Sequence, residues 1–543
     1  MRQNIGMYIM YRKEYNAMNS TTIIARLARR IVLACLALAV CLTAARAGAA
    51  PAPSPRASPD FAAIDAYVES QMREQRIPGL ALGIVQGDQI VHLKGFGVAD
   101  PSGRAVTPQT PFQIASISKS FTALAVMQLV QAGKVELDAP IQHYLPWFRL
   151  ADPDAAARIT VRQLMTQTSG FSRASENVFL GGSDTSADAL ERRVRALSTH
   201  QLNRPVGSTY EYTAVNAWVL GLLVQTVSGQ SFEDYVQQHI FAPLDMRNTY
   251  LSPIEARTHG MATGHRFWFG QPVAFEMPYQ RAEAPATLVI ASAEDIAHFL
   301  VAQLGGGRYG NASILSPEGI AAMQQAVVPQ GNHDMYWGMG WDVGQLNGIP
   351  AVWRWGDGPN VHAKVVLIPA GKWGIVVMEN AEPLLAKANG DRRIDQTAEG
   401  VASLLLGRQP PAPNGSGGTL LVFYGLVLGP ALLQLIAMIW ALAILRRWWA
   451  NPARRPHGRR GIVRHVVAPL VLHGALALVF LVGVPPIFNL SWTAILLVLP
   501  DIGSVALASG ILALVWSILG AILAFRVLRQ PGMPHPAGAP VNA

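Results

Sequence analysis

Cysteine is nearly absent: Cys35 and Cys41 are the only two among 543 residues, and both lie in one apolar run near the start. A disulfide framework, a cysteine metal site and thiol catalysis are therefore excluded for the rest of the chain. Charge is scarce too, at 14% of residues against roughly 25% in an ordinary soluble domain. With 50% hydrophobic residues, part of this chain is built for lipid. Acids are rare at both ends. Residues 1–47 carry seven Lys/Arg and one acid, and residues 419–543 carry nine and one, whereas residues 48–418 are mildly acidic. The net charge of +9 thus belongs to the ends, which argues against a surface that tracks phosphates. Nucleic acid is excluded as the partner. No fixed-period repeat is present, no G-x-S-x-G elbow surrounds any serine, and Gly95-Phe96-Gly97 lacks the rest of a dinucleotide fingerprint. Gly305-Gly306-Gly307 reads as a loop.

The two ends have different characters. Arg26, Arg29 and Arg30 precede the short apolar run 31–42, and Ala45-Arg46-Ala47 follows it. A basic segment, a short apolar segment and a small-residue cleavage site describe a secretory signal peptide over residues 1–47. Translation from Met18 gives that signal a more ordinary length. Cleavage leaves a mature chain without cysteine. At the other end, residues 419–445, 465–488 and 501–525 are three apolar runs, each long enough to cross a hydrocarbon core of ~30 Å. Between the first two lie seven arginines, from Arg446 to Arg464, with no acid, and Arg526 and Arg529 follow the third. By the positive-inside rule the loop 446–464 and the tail 526–543 are cytoplasmic. Residues 489–500 are apolar but too short to span and read as an interfacial piece. The expected location is therefore a multi-pass cell-membrane protein with its central domain on the periplasmic or extracellular side.

That domain, residues 60–409, lies between an Ala/Pro/Ser-rich linker (48–59) and a Pro/Gly-rich one (410–418). Phe61, Ile64, Tyr67 and Val68 fall on one helical face. Residues 80–86 and 89–96, separated by Gly87-Asp88, read as a strand pair. Helices are expected over 121–131, 217–227 and 292–304. Strands return at 337–343, 351–355, 362–368 and 373–378. Strands at both ends of a helical middle imply one antiparallel sheet closed by the two ends of the domain, an α+β class.

Ser116-Ile117-Ser118-Lys119 opens the helix that continues through Phe121, Leu124 and Leu129. Three residues apart, Ser116 and Lys119 share a helix face, so an amine reaches a hydroxyl. A serine hydroxyl becomes a nucleophile only when a neighbouring base removes its proton. Lysine serves as that base once burial or a nearby cation lowers its pKa from about 10.4. The helix start also offers backbone N–H groups to a developing oxyanion.

The segment from Pro111-Phe112-Gln113-Ile114-Ala115-Ser116 to Ser120-Phe121-Thr122 closely resembles the nucleophile segment of the serine β-lactamase and penicillin-binding-protein-like hydrolases. The branch it resembles holds class C β-lactamases, D-Ala-D-Ala carboxypeptidases and esterases. Further resembling blocks are Gln131-Ala132-Gly133-Lys134, Tyr144-Leu145-Pro146, residues 159–170 ending in Thr168-Ser169-Gly170, Phe241-Ala242-Pro243-Leu244-Asp245-Met246 and Gly338-Met339-Gly340-Trp341. They cover roughly residues 60–405. The resemblance implies a five-stranded antiparallel sheet flanked by helices, an all-helical lobe, a site between them and no cofactor.

It also implies roles. The family's Y-x-N falls on Tyr212-Thr213-Ala214, so Tyr212 takes the proton-relay position beside Lys119. Ala214 stands where the family has asparagine, and Asn216 is a partial substitute in substrate binding. The third motif falls on Arg354-Trp355-Gly356. Arg354 keeps the cation but cannot shuttle protons, since a guanidinium stays charged. Its expected roles are a bidentate grip on a substrate carboxylate and lowering the pKa values of Lys119 and Tyr212; the plainer role is a surface salt bridge. Trp355 is expected to narrow the cleft, with Gly356 lining it. The backbone N–H groups of Ser116 and Asp357 complete the oxyanion hole. His259, His265, His333 and His362 lack metal-ligand spacing, and no metal is expected.

Two functions of different class follow. One is an exported, membrane-tethered serine hydrolase acting through an acyl-enzyme on an amide, ester or β-lactam. The other is a non-catalytic domain of the same shape that binds a cell-wall peptide or lipid and is coupled to its membrane segment. The expected partners are a small-molecule or peptide substrate and the lipid bilayer.

Overall fold

A computed structural model describes residues 59–177, 181–331, 334–382, 393–411, 417–488 and 490–529. The signal-peptide reading, the linker at 48–58, His333, residues 412–416 of the second linker and the tail from 530 onward lie outside them.

Helix α1 (Phe61–Gln75) starts where the Asp60 carboxylate accepts the Ala63 N–H at 3.0 Å and ends on Arg76 in the left-handed conformation. It buries Ile64 and Val68. Strands β1 (Gly79–Gln86) and β2 (Gln89–Gly97) follow as an antiparallel hairpin around Gly87. Two strands far along the chain, β3 (His265–Trp268) and β4 (Gln271–Ala274), form a separate hairpin. The late strands are β5 (Val328–Pro329), β6 (Met335–Trp337), β7 (Asp342–Leu346), β8 (Ile349–Asp357), β9 (His362–Ile368), β10 (Trp373–Glu379) and β11 (Ala381–Glu382).

The main sheet runs β2-β1-β10-β9-β8-β7-β6-β5, antiparallel throughout. Leu80 pairs with Glu379, so the two ends of the domain do close one sheet. It has eight strands rather than five, because β5 to β7 extend it beyond β8. The single strand expected over 337–343 is broken. Gly340, at φ +85°, turns the chain between β6 and β7, and its carbonyl accepts the Ser120 hydroxyl at 2.7 Å.

Alternation along the sheet sends side chains to two cores. Helices α2 (Ser118–Gln131), α3 (Val215–Ser228) and α4 (Ala293–Leu304) share one with Val352, Val365 and Val376. Helices α1 and α5 (Arg393–Leu405) share the other with Trp353, Val366 and Ile375. Beyond the domain come α6 (Gly417–Ala450), the apolar helical segment Gly458–Phe488, the short α7 (Trp492–Val498) and α8 (Pro500–Arg529). Stretches Leu428–Ala450, Gly458–Phe488 and Pro500–Arg529 are each long and apolar enough to cross a membrane. The piece read as interfacial carries α7, whose seven residues extend only about 10 Å.

Candidate active site

Ser116 sits in a tight 3₁₀ turn, Ala115–Ile117, immediately before α2. Ala115 holds φ +42°, a conformation that costs an L-residue on the order of 1–3 kcal/mol. The turn is held against the strain from both sides. The Ser118 hydroxyl donates to the Ala115 carbonyl at 2.6 Å and accepts the Val289 N–H at 3.0 Å. On the facing side a Cβ at Gly356 would stand 2.1 Å from the Ile114 carbonyl oxygen and 2.9 Å from the Ser116 nitrogen. Only glycine lets the end of β8 lie this close to the turn.

Lys119, buried one helical turn on, donates from Nζ to Ser116 Oγ at 3.1 Å and to the Ala286 carbonyl at 3.0 Å. Its Nζ lies 5.1 Å from the centre of the Tyr212 ring. Tyr212 arrives on the segment before α3. That segment is held by Gln167, whose backbone carbonyl accepts Glu211 N–H at 2.9 Å and whose side-chain oxygen accepts Thr213 N–H at 3.0 Å. Burial raises the Tyr212 phenol, but Arg354 first and Lys119 second outweigh it, with hydrogen bonds from Ser116 and Lys119. The net direction is down. The arrangement brings a hydroxyl, an amine and an acidified phenol together on one face of the cleft. Such a set can remove a proton from serine and return it to a leaving group.

The family model described as Beta-lactamase matches residues 64–399. The chain belongs to the Beta-lactamase family. It is 31% identical to "Penicillin-binding protein 4" of Amycolatopsis lactamdurans over 289 residues, covering 51% of this chain and 74% of that one. It is 27% identical to "Protein flp" of Staphylococcus aureus (strain MW2) over 326 residues, 58% of this chain and 62% of that relative. Less than two thirds of that relative is therefore spanned. The octameric penicillin-binding protein homologue from Pyrococcus abyssi superimposes with a TM-score of 0.56 at 25% identity, covering 65% of this chain and 78% of that one.

Several residues of this Beta-lactamase-family site lie differently from the sequence expectation. Arg354 is neither an open fork nor a surface residue. It is 1% exposed, and its Nη1 binds Asp342 Oδ2 at 3.0 Å while Nη2 donates to the Tyr212 oxygen at 2.5 Å. Its Nε donates to the Ser116 carbonyl at 3.3 Å. With all three nitrogens engaged, the carboxylate-clamp role is corrected to an internal one. Asn216 is likewise corrected. It is fully buried on α3, its Oδ1 accepts the Ser169 hydroxyl at 2.5 Å and its Nδ2 donates to Gln167 Oε1 at 2.6 Å. It braces the Tyr212 segment rather than facing a substrate. Trp355 does not narrow the cleft: alternation along β8 turns it onto the other core, the one to which α1 and α5 contribute.

Sequence reasoning missed three groups. Asp342, 2% exposed, neutralises Arg354; it directly follows the Gly338–Trp341 block, the one signal that could have found it. The Trp337 ring lies 5.8 Å from that of Tyr212 and 4.7 Å from the Arg354 guanidinium. Glu176, from the short helix Arg173–Asn177, accepts Ala214 N–H at 2.5 Å and the Thr213 hydroxyl at 3.2 Å. It satisfies the N–H at the start of α3, where the Ala214 methyl makes no cap hydrogen bond. Burial pushes the Glu176 carboxyl up, with the Ala214 N–H, Lys119 and Arg173 opposing.

Among the described residues, Asp357, His362 and Glu382 present three metal-capable atoms within 4.8 Å. Spacing did not reveal this group, because Glu382 reaches it on β11. His362 Nδ1 lies 2.6 Å from Asp357 Oδ1 and 3.4 Å from Glu382 Oε2. The three form a polar cluster across the β8–β9 turn, behind the strand end that carries Asp357.

Proposed function

We propose that this chain is a membrane-tethered serine hydrolase working through an acyl-enzyme on an amide, ester or β-lactam, with its catalytic domain exported. The observation that carries the reading is the Lys119 Nζ to Ser116 Oγ contact of 3.1 Å beside the acidified Tyr212. Lys119 and Tyr212 take the proton from Ser116 as its Oγ forms a bond to the substrate carbonyl carbon. The oxygen that becomes negative is held by the Ser116 and Asp357 N–H groups. The relayed proton passes to the leaving nitrogen or oxygen as that bond breaks. Water then attacks the acyl-serine by the reverse proton path, releasing the acid and restoring Ser116.

The penicillin-binding names among the relatives support a substrate of peptide or β-lactam type. Arg354 is committed to Asp342 and Tyr212, so a substrate carboxylate is not its ligand. Ala214, in place of the family's amide, favours the second reading, binding without turnover. Mass spectrometry of the purified protein after a fluorophosphonate or a penicillin separates the two. An adduct on Ser116, lost in Ser116→Ala, supports the hydrolase. A folded protein without any adduct supports the binding domain.

A further inference from the structure

Among the described residues of the catalytic domain, the β3–β4 hairpin gathers the most exposed apolar side chains. Among the described residues before α6, the large exposed hydrophobics are Val98, Ile254, Trp268, Phe269, Val273, Val327 and Tyr336. Three of these seven stand on this ten-residue ribbon, at 40%, 41% and 49% exposure for Trp268, Phe269 and Val273. Clustered aromatic and aliphatic side chains at a ribbon tip mark a surface that meets something apolar.

What it meets follows from what holds it. Arg266 on β3 donates from Nη1 to the carbonyls of Leu496 at 3.1 Å and Leu497 at 2.8 Å. These are among the last carbonyls of α7, which have no partner within their own helix. At the tip, the Phe269 N–H donates to Asp501 Oδ2 at 3.0 Å, and the Tyr424 hydroxyl donates to the same oxygen at 2.6 Å. The Phe269 and Tyr424 rings lie 5.6 Å apart. Asp501 is the only acid in residues 419–543 and is 1% exposed. It stands in the first turn of α8, while Tyr424 lies near the start of α6. A second contact lies outside the hairpin, where a Cβ on Gly181 would come 3.0 Å from Thr493 on α7.

The hairpin is therefore fixed at the level where the apolar spans begin, which is where a bilayer passes from headgroup to acyl chain. Tryptophan and phenylalanine favour that level, with apolar bodies in the boundary. We propose that the β3–β4 hairpin is a membrane anchor. It seats Trp268, Phe269 and Val273 in the interface of the bilayer that the chain's own helices span. The proposal rests on the membrane-spanning reading of those helices and is independent of the chemistry at Ser116.

The same ribbon is joined to the strand end that carries Asp357. His265 N–H donates to the Asn360 carbonyl at 2.9 Å, Asn360 Nδ2 donates to the Phe275 carbonyl at 2.8 Å, and β11 pairs with β3 with Glu382 opposite Arg266. Seating the hairpin thus also fixes the β8–β9 turn.

The test uses the full chain in nanodiscs of phosphatidylethanolamine and phosphatidylglycerol, with Cys35 and Cys41 replaced by alanine. A nitroxide is placed at Val273→Cys, at Gln271→Cys, and at Lys134→Cys on the exposed turn after α2 as the aqueous reference. The ratio of collision with oxygen to collision with a water-soluble nickel chelate is measured by power saturation. The expected result is a ratio at Val273 several-fold above that at Lys134, with Gln271 between them. A ratio at both hairpin sites equal to that at Lys134 would overturn the proposal. Protection from both relaxants would overturn it too, since that marks a protein surface over the hairpin rather than lipid.

Discussion

Arg354 donates to the phenol oxygen of Tyr212 across 2.5 Å, from a position inside the protein rather than from the cleft mouth. The cation is therefore directed at the Tyr212 phenol, the group proposed as the proton relay, rather than at the cleft mouth. Its charge is balanced by Asp342, so the site carries a buried pair whose other terminal nitrogen is hydrogen-bonded to the phenol. Arg354 keeps Tyr212 acidic, and Asp342 lets Arg354 stay buried.

Replacing Arg354 with Gln is expected to move the acid limb of the kcat/KM profile to higher pH. The reason is the sign of the interaction: removing a neighbouring cation disfavours the phenolate, so the Tyr212 pKa rises and the basic form appears later. The variant also leaves the buried Asp342 charge without its counter-ion, with only the Gln330 amide, among the described residues, donating to it at 2.7 Å, a change worth about 3–5 kcal/mol of stability. Arg354→Gln with Asp342→Asn should regain most of that stability while keeping the shifted profile. A double variant as unstable as the single one contradicts the pairing. An unshifted acid limb contradicts the role toward Tyr212.

Tyr212→Phe removes the relay oxygen but keeps the ring that packs on Trp337. Turnover should fall by about 10²–10⁴, the usual range for a general acid–base group. Stability should fall by about 1–3 kcal/mol, because the buried Arg354 Nη2 loses its acceptor, while the fold is retained. Retained turnover would move the proton relay to Lys119 alone.

The parts of the site legible in the sequence are those that one segment determines. Ser116 and Lys119 lie three residues apart on one helix start, so their meeting follows from helical geometry. The closure of the sheet by its two ends followed from strands at both ends of a helical middle. What was not legible depends on register. Alternation along β8 decides that Arg354 enters the site while Trp355 leaves it, and a one-residue change reverses both. The partners of Arg354 come from β7 and from the segment before α3, so no spacing near position 354 could show that its nitrogens were taken. The broken strand at Gly340 shows the same limit: Gly340 at φ +85° and the Gly338 N–H to Trp341 carbonyl bond of 2.9 Å turn the chain, and the contact that uses the turn comes from distant Ser120.

Gly356→Ala should cost activity out of proportion to its size. The added methyl would stand 2.1 Å from the Ile114 carbonyl and 2.9 Å from the Ser116 nitrogen, and both neighbours are backbone. Relief therefore requires the end of β8 to move away from the turn, taking the Asp357 N–H with it. Loss of one oxyanion donor lowers kcat by about 10²–10³. Covalent labelling of Ser116 by a fluorophosphonate should slow in proportion, and an unchanged labelling rate would remove Asp357 from the oxyanion hole.

Glu176→Gln tests the group that satisfies the N–H at the start of α3. The carboxyl is pushed above its usual range by burial, so the folded protein holds that proton to higher pH than the unfolded chain does. In that window stability falls as pH rises, because the folded state must give up a proton it binds better. The amide keeps an oxygen for the Ala214 N–H and has no charge to bury. Denaturant midpoints of the two proteins should therefore converge toward low pH, with the variant the more stable at neutral pH. A wild type that is the more stable at neutral pH would mean that the charge, held by Lys119 and Arg173, is needed there.

Orientation in the membrane rests on seven arginines without an acid between the first two spans. Such a loop resists translocation, so the proposed orientation puts it on the cytoplasmic side. In that proposed orientation the three spans leave the start of α6 on the opposite side, and the catalytic domain with it. The hairpin contacts place that domain against the starts of α6 and α8 and against α7, which is the same side. Single cysteines at Arg460 and at Lys134, in the background lacking Cys35 and Cys41, separate the two faces. A membrane-impermeant maleimide should label Lys134→Cys in intact cells or spheroplasts and reach Arg460→Cys only after permeabilisation. The reverse pattern would place the catalytic domain in the cytoplasm, and the signal-like run at the start of the chain would then have no export to perform.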